Sequence, residues 1–560
     1  MPTLFLEAEG HMKDTTKLGE LQSGAVADPS HAWKLSGRDT GDPVTAQGAN
    51  GPGPHREGIS QKPVMHGDGK SDTPIVPKKL PNKTGRAVAE AREGRGVAKG
   101  NTTSKTHPGR RAGSDAQSAL GRVREAARRD KNAKFTALFH HITIDKLREA
   151  YWALSRKAAP GIDGITWKQY GEGLEARLAD LYARLQRGAY RATASRRVYI
   201  PKADGRMRPL GIAALEDKVL QRTVVEVLNG IYEVDFIGFS YGFRPGRSPH
   251  DALDALTTGL VRRRVNWVLD ADIRGYFDNI DHGWLMKFLE HRIGDKKVLR
   301  LIEKWLSAGA MEEGKWIKGE QGSPQGATIS PLLANVYLHY VLDLWVQQWR
   351  RRHARGMVTI VRYADDAVFG FEYESDARSF QRELGARMLK FKLELNEEKT
   401  KLIEFGRFAT ERRQLRGLGR PKTFDFLGFT HRCAKLGTGK YAVKRTTIRK
   451  RMRDKLRKVK EALKQIQHEP ISKQGRWLGS VVRGHNAYYA VPTNIRAIAG
   501  FRKQVERHWL RSLRRRGQRD RTNWARMRRL SEIYLPKPQI LHPWPLNRFD
   551  ARTQGRSPVR

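Results

Sequence analysis

The sequence is short of cysteine and of long hydrophobic stretches. Cys433 is the single cysteine among 560 residues, which excludes an intramolecular disulfide and any zinc site built on several cysteines. No apolar run approaches the roughly 20 residues that span a bilayer, and Glu7 and Glu9 near the N-terminus argue against a secretory signal. We therefore expect a protein of a reducing compartment, the cytoplasm or the nucleoid, without a membrane partner.

Acidic residues are scarce relative to basic ones. Lys and Arg number 106 against 59 Asp and Glu, which leaves a formal net charge of +47. So large a positive surplus predicts a polyanionic partner, and nucleic acid is the first candidate. Binding to a membrane surface is the competing interpretation.

Two adjacent carboxylates interrupt an apolar stretch at residues 360–370. The run Ile-Val-Arg-Tyr-Ala leads to Asp365 and Asp366, and apolar residues resume directly after them. This pattern predicts two buried strands joined at a sharp turn. Paired carboxylates in such a place are costly to bury unless a cation neutralises them, and Mg²⁺ prefers oxygen ligands. A hairpin with a solvated Asp-Asp turn is the alternative.

A second apolar run, Trp267 to Ala271, also ends in a carboxylate, Asp272. Two-metal phosphoryl transfer requires carboxylates from separate segments around one pair of ions. The three aspartates are therefore candidates for one metal site, despite their separation in sequence.

These segments resemble the group II intron-encoded reverse transcriptase and maturase family, over roughly residues 130–560. Tyr363 to Asp366 is similar to the YxDD motif of reverse transcriptases, and Asp272 to Phe277 is similar to the preceding metal-binding motif. Gln321 to Gly326 lies between them, as the family order requires. Further matches are Ala159 to Gly164 (A-P-G-I-D-G), Tyr241 to Pro245 (Y-G-F-R-P), Leu393 to Lys401 and Phe424 to Phe429.

The resemblance implies an α+β fold of the right-hand polymerase type. Fingers and a palm with an antiparallel sheet are expected at residues 116–430, followed by an α-helical thumb and maturase (X) domain at 431–540. Residues 541–560 are expected to form an extended, Pro-rich basic tail. Residues 1–115 are rich in Gly, Pro, Ser and charged residues and are predicted to be disordered, because they bury too little apolar surface.

The resemblance also assigns the metal site. Asp272, Asp365 and Asp366 are the expected catalytic residues and hold two Mg²⁺ ions, and the backbone carbonyl of Ile273 is a further expected ligand. Phe277 is expected to crowd the sugar 2′ position, so that dNTPs are preferred over NTPs; simple core packing is the alternative for this ring.

Other residues are expected to contact the nucleotide. Asp204-Gly205 predicts a hairpin turn whose flanking Lys202 and Arg208 reach over one face. These two cations suit a triphosphate, although ordinary surface charge is the alternative. The remaining expected nucleotide contacts are Gln325, Tyr363 and Lys399; Lys399 is either a surface residue or a group that stabilises the leaving pyrophosphate.

The last part of the chain predicts an RNA-binding surface. Basic and apolar residues alternate at helical spacing from Ile448 to Gln467, so that one helix face packs while the other follows a phosphate backbone. Aromatic residues between arginines suit unpaired bases. The residues selected as RNA contacts are Arg244, Arg449, Arg453, Arg457, Arg476, Tyr488 and Tyr489.

The function implied is RNA-directed DNA synthesis together with binding of the group II intron RNA to assist its splicing and mobility. The expected partners are intron RNA, an RNA template, a DNA primer, dNTPs, and target DNA reached through the ribonucleoprotein. Two other functions stay open: a group II-like reverse transcriptase without an intron, in phage defence or DNA repair, and an RNA-binding splicing factor alone. With a single cysteine, the HNH nuclease of many relatives is not expected.

Overall fold

A computed structural model describes residues 110–201, 207–317, 319, 321–323, 325–517 and 522–553. The predicted disordered tail lies outside these residues except for its last few positions, where the first helix has already begun. Lys202 and the predicted turn at Asp204-Gly205 also lie outside them. Among the described residues, no helix is long and apolar enough to cross a membrane.

The first described part is a group of helices followed by a two-stranded hairpin. Its elements are α1 (Arg110–Arg129), α2 (Ile144–Ala153), α3 (Trp167–Gly171), α4 (Leu174–Gln186), β1 (Ser195–Pro201), β2 (Met207–Ile212) and α5 (Leu215–Asp235). Leu178, Leu181 and Leu185 are buried at helical spacing on one face of α4, which is why this segment folds as an amphipathic helix. Strands β1 and β2 are antiparallel, with Ile200 opposite Arg208.

The central part is a four-stranded antiparallel sheet with helices packed on it. Its elements are α6 (Pro249–Arg262), β3 (Trp267–Ala271), α7 (His282–Arg292), α8 (Lys296–Ser307), β4 (Ala310–Glu312), β5 (Lys315–Ile317), α9 (Ser330–Leu338), a π-helical turn (His339–Asp343), α10 (Leu344–Arg352), β6 (Val358–Tyr363), β7 (Asp366–Phe371), α11 (Glu374–Lys390), β8 (Lys401–Glu404) and α12 (Ala409–Leu415). The strand order is β6-β7-β3-β8. The short strands β4 and β5 extend the β1–β2 hairpin instead.

This sheet confirms the predicted α+β class and the antiparallel palm. Val361 in β6 and Val368 and Phe369 in β7 are buried, so the apolar runs on both sides of the Asp-Asp turn are core strands as predicted. The turn itself reaches solvent, with Asp366 exposed and Asp365 half-buried.

The C-terminal part consists of a three-stranded sheet and a helical bundle. Its elements are β9 (Phe424–Phe426), β10 (Phe429–Lys435), β11 (Tyr441–Thr447), α13 (Arg449–Gln465), α14 (Ile471–Tyr489), α15 (Ile495–Arg514), α16 (Trp524–Tyr534) and α17 (Pro545–Thr553). The bundle has its own core, in which Leu456, Val482 and Trp509 are buried. Its assignment as thumb and maturase domain, and the domain boundaries, stay predictions.

The expected extended tail was wrong for residues 545–553, which form α17. Pro545 is the first residue of this helix, a position where a missing N–H removes no intrahelical bond. The helix docks on α6 through an ion pair of 2.6 Å between Arg262 and Asp550, and through a contact of Arg548 with Asp254. The prolines had suggested an extended chain. The pairing of Asp550 with Arg262, which lies 288 residues earlier, could not be recognised from the sequence.

Candidate active site

The two adjacent aspartates lie at a two-residue turn between β6 and β7. Tyr363 pairs with Asp366 across the hairpin, which leaves Ala364 and Asp365 in the turn itself. Ala364 has a φ of 57°, a left-handed conformation that costs on the order of 1 kcal/mol or more for a residue with a Cβ. The surrounding structure must therefore hold this turn in place.

Arg362 supplies much of that support from below the turn. Its side chain is 1% exposed, and its Nη1 donates to the carbonyl of Ala364 at 2.9 Å and to Oδ1 of Asn335 at 3.1 Å. Its Nε and Nη2 donate to the two carboxylate oxygens of Asp343, which lies in the π-helical turn. A buried, hydrogen-bonded cation thus anchors the backbone that carries both aspartates.

Asp272 follows the end of β3, the strand next to β7. The register places Ala271 opposite Ala367, so Asp272 is brought beside the Asp365-Asp366 turn. The Nζ of Lys399 lies 3.0 Å from Oδ2 of Asp272. The structure therefore brings the three predicted catalytic residues and the predicted Lys399 into one site.

The three carboxylates repel one another. Asp366 is exposed to solvent, but desolvation by the surrounding protein, followed by repulsion from Asp365 and Asp272, raises its pKa to about 7. Burial likewise raises the pKa of Asp365, and the charge of Asp272 adds to this shift. Uncompensated negative charge of this kind is what a divalent cation neutralises.

The donor set fits Mg²⁺, because it consists of hard carboxylate oxygens. In this arrangement, however, no group of three acidic, His or Cys side chains among the described residues is gathered closely enough to hold a metal ion. In this arrangement Lys399 pairs with one carboxylate oxygen of Asp272.

A fourth carboxylate, Asp270, was missed by the sequence analysis. Burial, followed by repulsion from Asp366 and Asp272, raises its pKa to about 7. Asp270 lies in β3, two residues before Asp272, and the repulsion from Asp366 and Asp272 places it close to the same site. The Asp-Ala-Asp alternation was the signal that would have found it.

Backbone hydrogen bonds connect the segments that carry Phe277 and Gln325 to each other and to β2. Phe277 lies in a 3₁₀ turn (Tyr276–Asp278), and its carbonyl accepts a hydrogen bond of 2.8 Å from the N–H of Ser323 in the following loop. The carbonyl of Gln325 accepts a bond of 2.6 Å from Gly211 in β2. This loop therefore joins Phe277 to the hairpin that carries Arg208.

Arg208 is exposed on β2, and its positive charge opposes the rise in the pKa of Asp365. It thus lies on the active-site side of the hairpin, as predicted.

Ile273 forms an antiparallel bridge with Leu395. On either side of it, the N–H of Arg274 donates to the carbonyl of Glu394, and the N–H of Asn396 donates to the carbonyl of Asp272. In such a pair the backbone carbonyl of Ile273 points away from Leu395, towards the opposite edge of its own segment.

The structure does not support Arg244 as an RNA contact. Its side chain is 3% exposed and pairs with Glu233 at 3.0 Å. Its Nη1 also donates to the carbonyls of Ile237 and Ser240 at 2.9 Å. This arginine instead holds the loop at residues 239–248, which packs against the Asp-Asp turn. The composition of this loop had suggested a nucleic-acid contact, because arginine is common both in such contacts and in buried ion pairs.

The other predicted RNA contacts divide into two groups. Four arginines are exposed on α13 and α14: Arg449, Arg453, Arg457 and Arg476. Tyr488 and Tyr489 are instead half-buried against Phe429, and the hydroxyl of Tyr488 donates to the carbonyl of Leu427 at 2.8 Å. The two tyrosines therefore support the β9–β10 turn, whereas the arginines face solvent.

Arg451 was missed as a site residue. Its charge opposes the rise in the pKa of Asp366, so its side chain lies within electrostatic range of that carboxylate. A side chain added at Gly428 would lie 3.2 Å from its Nη1. Helix α13 therefore presents one basic residue to the active site and others to solvent.

Comparison with protein families identifies the central part of the chain. Residues 200–431 match the family described as reverse transcriptase (RNA-dependent DNA polymerase). The matched range contains Asp272, Asp365 and Asp366.

Three individual relatives match over 155 to 283 residues. Protein YkfC of Escherichia coli (strain K12) is 36% identical over 283 residues, 44% of this chain and 74% of that protein. The group II intron-encoded protein LtrA of Lactococcus lactis subsp. cremoris is 36% identical over 238 residues, 42% of this chain and 39% of LtrA. A 91 kDa protein in the cob intron of Schizosaccharomyces pombe is 41% identical over 155 residues, 28% of this chain and 19% of that protein.

Proposed function

Because the chain belongs to the group II intron-encoded reverse transcriptase and maturase family, we propose that it copies RNA into DNA and binds the intron RNA that encodes it. The observation that carries this proposal is the position of Asp272, Asp365 and Asp366 at adjoining strand ends, with the pKa values of Asp365 and Asp366 raised. Mutual repulsion at one place is expected of carboxylates that share metal ions.

Two Mg²⁺ ions, when bound, supply activation of the primer 3′-hydroxyl and neutralisation of the triphosphate. Asp272, Asp365 and Asp366 would hold them. Arg208, together with Lys202, binds the triphosphate oxygens of the incoming dNTP, and Gln325 and Tyr363 position the nucleotide. Phe277 occupies the space that a ribose 2′-hydroxyl would need.

Lys399 has two roles in this proposal. Its ammonium neutralises Asp272 at 3.0 Å. With metal bound to Asp272, Lys399 would be available to the leaving pyrophosphate, where a cation would stabilise the developing negative charge. Its side chain is about half exposed, so it has room to move.

The exposed arginines of α13 and α14 bind RNA. Arg449, Arg453 and Arg457 follow one another at four-residue spacing, which places them along one face of α13. This face, together with Arg476, contacts the phosphate backbone of the intron RNA, and the RNA supplies the chemistry of splicing. We further propose that the ribonucleoprotein reaches target DNA and acts in the cytoplasm or nucleoid.

The test is primer extension on an RNA template with Mg²⁺ and dNTPs, alongside splicing of the intron RNA with and without the protein. Template-dependent cDNA and faster splicing are expected. Splicing assistance without any cDNA would indicate a splicing factor alone. Conversely, cDNA synthesis without intron binding would indicate an intron-independent reverse transcriptase.

A further inference from the structure

Phe243 has an unusual combination of backbone conformation and exposure. Its φ is 58°, in the left-handed region, and its side chain is 42% exposed. A bulky residue rarely adopts this conformation, and an exposed ring gains little from burial in return. The strain is therefore not explained by core packing.

The residues on both sides of Phe243 are held firmly. The amide of Asn335 donates to the carbonyl of Gly242 at 2.7 Å, and the N–H of Tyr241 donates to the carbonyl of Arg362 at 2.8 Å. On the other side, Arg244 is anchored by its buried pair with Glu233. These contacts keep Phe243 in its strained conformation beside the Asp-Asp turn.

The ring of Phe243 is directed to Phe277. The two ring centroids are 6.4 Å apart with an interplanar angle of 76°, an edge-to-face contact. Phe277 is the residue proposed to exclude the ribose 2′-hydroxyl. A clash discriminates between nucleotides only when the ring that causes it cannot swing aside.

We propose that Phe243 is a positioning residue for sugar selection, whose ring holds Phe277 in the orientation that excludes a ribonucleotide. The inference rests on the proposed function, since it assumes that Phe277 is the residue that meets the sugar. Phe243 acts through Phe277 and does not itself need to touch the nucleotide.

The test removes the ring without disturbing the backbone. Phe243→Asn is suited to this, because asparagine tolerates the left-handed region; Phe243→Gly is a second variant with the same property, and Phe243→Tyr keeps the ring. Glu313→Asn is the matched control, since Glu313 also has a positive φ, of 48°, in the turn between β4 and β5. The readout is the ratio of kcat/KM for a dNTP over that for the matching NTP.

Both ring-deleting variants are expected to lower this ratio by about two- to tenfold, the range that an edge-to-face pair supports. Phe243→Tyr and Glu313→Asn are expected to leave it unchanged. In a Phe277→Ala background, Phe243→Asn should have no further effect, because nothing remains for it to hold.

The outcomes separate the inference from the function on which it rests. If Phe277→Ala lowers the ratio but neither Phe243→Asn nor Phe243→Gly does, the positioning role is refuted and the role of Phe277 stands. An equal effect of Phe243→Asn with and without Phe277 also refutes it, because the ring would then act independently. If Phe277→Ala itself leaves the ratio unchanged, the proposed role of Phe277 fails, and the positioning role fails with it.

Discussion

Arg362 and Asp343 form a buried, two-bonded ion pair directly behind the turn that carries Asp365 and Asp366. Nε of Arg362 lies 2.7 Å from Oδ1 of Asp343, Nη2 lies 2.5 Å from Oδ2, and both side chains are at most 1% exposed. The same guanidinium bonds the carbonyl of Ala364 in the turn. The position of the catalytic carboxylates thus depends on a pair that never meets the substrate.

Asp343→Asn should reduce the free energy of unfolding by about 3–5 kcal/mol, because it leaves the Arg362 charge buried without a counterion. Urea unfolding measures this loss. Glu374→Gln is the control, since it breaks an exposed pair with Arg378 and should cost about 0–1 kcal/mol. Equal losses in the two variants would mean that other groups compensate the buried charge of Arg362 when Asp343 is replaced.

Asp365→Asn and Asp366→Asn should each abolish Mg²⁺-dependent cDNA synthesis, while affinity for structured RNA is retained. The reason is that the proposed function assigns these carboxylates to metal binding and the exposed arginines of the C-terminal bundle to RNA binding. Primer extension and filter binding measure the two activities separately. A mutant with full cDNA yield would remove the residue from the metal site.

Mg²⁺ should stabilise the protein more at high pH than at low pH. Asp366 and Asp270 have a pKa of about 7 in the folded protein and an ordinary value of 3.8. The folded state therefore binds more protons than the unfolded state between these values, and the metal-free protein loses stability as pH rises through this window. Mg²⁺ must displace those protons at low pH and meets ionised carboxylates at high pH.

The measurement is the rise in Tm caused by Mg²⁺, relative to chelator, at about pH 5.5 and about pH 8, on either side of the folded pKa values. The rise should be clearly larger at the higher pH. In Asp366→Asn this pH dependence should weaken. The same rise at both pH values would argue that these two aspartates do not control metal binding.

Replacement of Arg449, Arg453 and Arg457 together by Gln should weaken RNA binding uniformly and flatten its salt dependence. Each phosphate contact contributes close to one unit to the slope of log K against log salt, so a decrease of about 2–3 is expected. Arg378→Gln, in α11 of the palm, is the control with an exposed arginine outside the bundle. An unchanged slope would place the RNA on another surface.

The sequence predicted the aspartates better than the residues that support them. An apolar run interrupted by carboxylates has few structural solutions, so the hairpin and the neighbouring strand were correctly predicted. Arg362 stands in the same apolar run, but its partner Asp343 lies 19 residues earlier, in a π-helical turn that no spacing pattern indicates. Whether an arginine such as Arg244 is buried or exposed depends on long-range partners in the same way.

The last prediction concerns the contact between Gly242 and the catalytic turn. A Cβ at Gly242 would lie 2.2 Å from the backbone N of Ala364 and 2.9 Å from the carbonyl carbon of Tyr363. No real side chain tolerates such distances, so Gly242→Ala must displace the turn and with it Asp365 and Asp366. Because catalysis depends on the position of the carboxylates to within a fraction of an ångström, cDNA synthesis should fall by about 100-fold or more.

Gly246→Ala, in the same loop, is the matched control. Gly246 has a φ of 71°, so an alanine there strains the backbone, but its Cβ would meet no atom within 4 Å. This variant should lose about 1 kcal/mol of stability and retain most of its activity. If Gly242→Ala synthesises cDNA as well as Gly246→Ala does, then the loop and the turn move independently, and the close contact between them has no role in catalysis.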